Sequence, residues 1–125
     1  MLISSIMSQA FQAGDFLVFQ LEAGFAMLRL LDVEESAGNT TWHVAAYEDL
    51  FPDVDSAEKA SLIPGDLTRS NDHIALTTRA FESTQVARVS NHELTDRETE
   101  ALRLWNDDPD REVSDRSVRL MLGLR

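Results

Sequence analysis

The chain has 125 residues, 43% of them hydrophobic and 26% charged, which suits one continuous core and excludes disorder over most of the length. Its 22 acidic residues against 11 basic ones give a formal net charge of -11, a balance that repels nucleic acid and anionic lipid. With no cysteine there is no disulfide, thiolate metal site or thiol nucleophile, in keeping with a reducing cytoplasm.

Leu2, Ile3, Ile6, Met7, Ala10 and Phe11 recur at helical spacing before Gly14 and predict a short N-terminal amphipathic helix. Translation can start at Met1 or Met7. No positive n-region precedes these residues and no apolar run reaches the ~20 residues of a membrane span, so neither a targeting segment nor a transmembrane helix is expected. The apolar runs Phe16 to Phe19 and Phe25 to Val33, separated by Glu22-Ala23-Gly24, predict a hairpin of two largely buried strands. Only Arg29 and Asp32 interrupt the second run. After a turn containing Ser36, Gly38 and Asn39, the alternation of Trp42, Val44 and Ala46 predicts a third strand over Thr40 to Tyr47.

Residues 48–72 carry Pro52, Pro64 and Gly65 and are expected to form a long irregular connection, with one helical turn over Ser56 to Leu62. Strand character returns at His73 to Phe81 and Thr84 to Ser90. Thr95 and Glu98 have capping-box spacing, and Ala101, Leu102 and Trp105 follow as an apolar stripe, which predicts a helix over 96–106. A last short helix is expected from Ser114 or Asp115 to Gly123. The sum is one α+β domain over 1–125. Its mainly antiparallel sheet of about five strands is strongly bent and admits a small barrel, and it is packed by an N-terminal helix and two C-terminal helices.

Function is carried mainly by one stretch. Asp32, Glu34, Glu35, Glu48, Asp49, Asp53, Asp55 and Glu58 lie between Arg29 and Lys59 with no basic residue among them, while Trp42, Tyr47 and Phe51 are interspersed. Such a segment attracts a basic partner at long range and offers it apolar anchors at contact. Asp32, Glu34, Glu35, Trp42, Tyr47, Glu48, Asp49, Phe51, Asp53 and Asp55 are therefore the candidate partner-binding residues. Aromatic residues near a strand end also serve commonly as core.

Other chemistry finds little footing. His43 and His73 fall in predicted strands and can approach each other, yet neither they nor His92 have ligand spacing in sequence. Fragments of a calcium loop at Asp53 and Asp108 lack the glycine and the closing glutamate. No nucleophile elbow or phosphate loop occurs. No cofactor, metal or catalytic residue is assigned, and a non-enzymatic role is favoured. A small carboxylate-dependent hydrolase using His43 or His73, and an assembly subunit such as a homodimer, are the alternatives.

Gly14-Asp15-Phe16-Leu17-Val18-Phe19-Gln20-Leu21, with Gly24-Phe25-Ala26 and Arg29-Leu30-Leu31, resembles the opening hairpin of the bacterial immunity protein 26 family. The same Gly-Asp opening begins the small barrel of growth-inhibiting toxin endoribonucleases, but a protein that grips RNA should be basic where this chain is acidic. The first resemblance implies a small β-rich bacterial domain that neutralises a toxin by binding it, and the acidic stretch suits a basic toxin.

Overall fold

The computed structural model describes residues 11–123. Five strands, β1 (Asp15–Leu21), β2 (Gly24–Ser36), β3 (Asn39–Phe51), β4 (Arg69–Thr77) and β5 (Ala87–Asn91), form one sheet in the order β4-β3-β2-β1-β5. Every neighbouring pair is antiparallel. The four described helices are α1 (Val54–Ser61), α2 (Thr78–Glu82), α3 (Asp96–Asp107) and α4 (Val118–Met121), and a single 3-10 turn spans Pro64–Asp66. An α+β fold is therefore correct, but β4 and β5 remain edges and the sheet is not closed into a barrel. The N-terminal amphipathic helix expected over residues 2–11 lies, apart from Phe11, outside the described residues. No described helix is long and apolar enough to cross a membrane.

Both faces of the sheet are covered, which explains why β1 and β2 are apolar in continuous runs and do not alternate. Leu17, Phe19, Leu28, Leu30, Val44 and Leu76 point to one face, where α2 contributes Ala80 and Phe81 and α4 contributes Val118. Phe16, Val18, Met27 and Tyr47 occupy the other face beneath Ala57 of α1, and Leu31 and Ala45 pack there against Leu102 of α3. The β2–β3 hairpin turns at Ala37 (φ 52°) and Gly38 (φ 81°), two successive positive φ values that match the right-handed twist of its strands.

The structure departs from the expected boundaries at four places, and at two of them a polar cap sets where a helix starts. The strand expected to continue to Phe81 stops at Thr77, whose Oγ1 accepts from Ala80 N at 3.2 Å and starts α2. The resulting turn lays Phe81 flat on Trp42, with ring centroids 4.1 Å apart. β4 begins at Arg69, inside the stretch expected to be irregular, and β5 begins at Ala87, not at Thr84. α4 begins later than expected, because Ser117 is its cap and Ser114 instead bridges to Leu76 alongside β4. α3 is as anticipated, with the complete Thr95–Glu98 capping box.

Gly14 sits where three segments meet. Its N–H donates to Leu30 O at 2.8 Å, and its carbonyl accepts from His92 N at 3.0 Å. Its φ is +93°, and a Cβ there would lie 2.6 Å from His92 O, whereas a Cβ on Gly38 would meet nothing within 4 Å. Gly14→Ala is therefore expected to lower the unfolding free energy by at least about 2 kcal/mol, and Gly38→Ala by about 1 kcal/mol. Urea midpoints check the order; equal losses would show that the close approach at Gly14 carries no cost.

Candidate functional site

The register of the β2–β3 hairpin divides the acidic stretch. Asp32, Glu34 and Glu35 stand near the hairpin tip, where Glu34 pairs with Thr41, while Glu48 lies seven residues further along β3, about 23 Å away. Asp49, Asp53, Asp55 and Glu58 follow at that far end and on α1. The ten candidate residues thus do not form one patch. Several have local work: Asp49 Oδ2 accepts from Thr68 N, and Asp53 Oδ1 accepts from Ser56 N, each at 2.7 Å. That backbone hydrogen bond from Ser56 holds the Asp53 carboxyl below its ordinary pKa.

The aromatic anchors expected from sequence are packed inward. Trp42 stacks on Phe81 and donates from Nε1 to Thr78 Oγ1 at 3.0 Å. Tyr47 is buried against Phe16 on the opposite face, and Phe51 packs against the same cluster. Alternation across the pleat sends Trp42 and Tyr47 to opposite sides of the sheet, so they cannot anchor a single partner together.

What the fold does concentrate is a set of polar side chains beneath α3. Arg29, the lone basic residue of the second apolar run, is fully buried. Its Nε donates to Glu98 Oε2 at 3.1 Å and its Nη1 to Gly14 O at 2.6 Å, while Nη2 reaches Glu93 O and Glu98 Oε1, both at 3.3 Å. The guanidinium also lies 4.1 Å from the centre of the Phe16 ring. Burial raises the Glu98 carboxyl, but hydrogen bonds from Thr95 and Arg29 and the Arg29 charge outweigh it and leave its pKa below the ordinary value. Asp15 is buried as well. Its carboxylate accepts from Gln12 N and from Asn91 Nδ2, each at 2.8 Å, and pairs with Arg88 at 3.5 Å. The Gly-Asp and Arg-aliphatic pairs of the opening hairpin are thus structural joints between β1, β2, β5 and the residues that follow it.

A second polar group lies further along the same face. His43, fully buried, joins Glu34 Oε1 through Nε2 and His73 Nε2 through Nδ1, both at 2.9 Å. The neutral arrangement that satisfies this chain has His43 Nε2–H donating to Glu34 and His73 Nε2–H donating to His43 Nδ1. Trp105 of α3 closes over both imidazoles, with ring centroids 4.9 and 5.5 Å away. The strand pairing brings together the two histidines that sequence left far apart. Burial, and then the neighbouring His43, push the His73 pKa down to about 4.

Between the Pro64–Leu67 segment and α3 opens a cleft of about 840 Å³. Arg29, Arg69, Tyr47, His92 and Glu98 are in its wall, whereas neither His43 nor His73 lines it. The acid–base chain is therefore separate from the space in which a substrate would sit. Burial raises the Tyr47 phenol, opposed by the Arg69 guanidinium beside it. No group of three or more His, Asp or Glu is placed to hold a metal ion among the described residues. Sequence reasoning missed this cleft because Arg29, Arg69, His92 and Glu98 come from four separated segments. The one available signal was a charged residue inside an otherwise buried apolar strand.

No protein-family model, curated protein or solved structure matches the chain.

His73 makes acid sensitivity testable. Unfolded, its imidazole takes up a proton near pH 6.5; folded, it resists until about pH 4. Stability is expected to fall as pH drops through this window, with no further loss from this group below it. His73→Gln should flatten the slope of unfolding free energy against pH between those limits. An unchanged slope would mean that His73 protonates as readily folded as unfolded.

Proposed function

We propose that the protein is a non-enzymatic binding protein of immunity or inhibitor type, acting in the cytoplasm, whose partner is a basic protein such as a bacterial toxin. The contact segment runs over residues 48–66. It holds Glu48, Asp49, Asp53, Asp55, Glu58 and Asp66 with Lys59 as its one basic residue.

The observation that carries this reading is what stands among those carboxylates. Leu50, Val54, Leu62 and Ile63 are 41–61% exposed, and they flank or open α1. Large apolar side chains left in water beside a dense negative charge supply both parts of a charge-steered interface, long-range attraction and desolvated anchors. These four residues take the anchoring role in place of Tyr47, which is buried, and of Trp42 and Phe51, which are partly buried against the core clusters. The carboxylates at the hairpin tip, Asp32, Glu34 and Glu35, are assigned at most to steering.

Affinity capture from the source organism at low and high ionic strength tests the proposal. A basic protein should be retained at low salt and weakened severalfold at high salt. Leu62→Asp with Ile63→Asp should reduce retention about tenfold or more, the effect of losing a central anchor, while Asp32→Asn should change it little. An acidic partner, or retention indifferent to both salt and the Leu62/Ile63 pair, would overturn it.

A further inference from the structure

α1 is fixed to the sheet from its inner side. Ala57 and Ser61 are its buried residues, and their small side chains let the helix lie close to the strands. Ser61 Oγ donates to Glu58 O and shares a hydrogen bond with Ser90 Oγ of β5, both at 2.6 Å. Asp53 caps the opposite end through Ser56 N. A helix held at both ends presents its outer side chains in one arrangement, which lowers the ordering cost of binding.

The outer side chains carry a pattern. Val54, Glu58 and Leu62 follow one another at four-residue intervals and form a ridge about 12 Å long. Val54 is 41% and Leu62 61% exposed, so the ridge has an apolar side chain in water at each end. Asp55 stands one turn before Glu58 on the neighbouring ridge, and residues so spaced on a helix are neighbours. Among the described residues neither carboxylate joins an ion pair. The two acids thus form a negative seat between two apolar contacts. Lys59, next along the Asp55 ridge, disfavours a second cation on that flank.

A ridge of side chains at four-residue intervals fits the groove between the equivalent ridges of another helix, the commonest way in which helices pack. We infer that the basic partner docks through an amphipathic helix lying along α1. One arginine or lysine of that helix sits between Asp55 and Glu58, and apolar side chains four residues to either side of it meet Val54 and Leu62. The inference rests on the reading of residues 48–66 as the contact segment, and it adds the form and charge pattern of what binds there.

Amide NMR titration of the full chain with synthetic peptides tests it. The probe is an alanine-rich helical peptide of about 15 residues carrying Leu, Arg and Leu at four-residue intervals on one face. It should give saturable shifts confined to residues 53–63. A peptide of the same composition with the leucines moved to the opposite face, and one with a proline at its centre, should each bind at least about tenfold more weakly. A peptide with Glu in place of Arg should not bind. Asp55→Lys with Glu58→Lys, both at exposed positions, should reverse the preference between the Arg and Glu peptides. No saturable shift with the Arg peptide, equal binding of the rearranged or proline-containing peptide, or an unreversed preference would each overturn the inference. Capture of a basic protein that depends on Leu62 and Ile63 would still uphold the contact segment in that case, so the two readings fail separately.

Discussion

A guanidinium with no access to water must find all its acceptors inside the protein, and Arg29 finds them on three separate segments. Gly14 O lies just before β1, Glu93 O just after β5, and the Glu98 carboxylate in the first turn of α3. Desolvating such a charge costs several kcal/mol, which only a fully engaged geometry can offset. The side chain therefore admits one relative placement of these segments. Gly14 shows the tightness of the result, since its carbonyl accepts from both Arg29 Nη1 and His92 N while no Cβ would fit at its position.

From this joint follows the way α3 is held to the second face. On the first face the sheet is closed by apolar packing of Phe81, Trp42 and Val118, much as any layered domain is. On the second, α3 contributes Leu102 and Trp105, and the rest of its attachment is polar: Glu98 to Arg29, Arg69 to the Glu98 carbonyl, and Trp105 over His43 and His73. An element held this way is sensitive to proton uptake. Glu98 loses its charge as pH falls through its depressed pKa, and its contribution, complete above the ordinary carboxylate range, goes with it. The same limited apolar contact leaves room for the cleft, because the Pro64–Leu67 segment and α3 face each other without filling the space between them.

Much of the architecture was legible in the residues, for reasons that are local. The two-residue turn at Glu22-Ala23, the capping box at Thr95 and Glu98, and the paired apolar runs of β1 and β2 all act within a few positions of one another. At Thr77 an apolar pattern was continued past a hydroxyl that caps a helix instead, whereas at the last helix the cap is Ser117 and not Ser114 or Asp115. The site was far less legible. Strand register decides that His43 meets His73 and that Glu34 and Glu48 part, and register is a property of the assembled sheet. Arg29 was visible as an interruption of an apolar run, but its acceptors at positions 14, 93 and 98 become neighbours only once β1 is paired on both sides.

The central claim is that Arg29 and Glu98 act as one unit that holds α3 to the sheet. A double-mutant cycle with Arg29→Met and Glu98→Gln, measured by urea unfolding near neutral pH, tests it most directly. The account predicts a coupling of about 2 kcal/mol between the two substitutions, with faster amide exchange in α3 for either single variant. Additive losses, within about 0.5 kcal/mol, with α3 as protected as in the wild type, would contradict it.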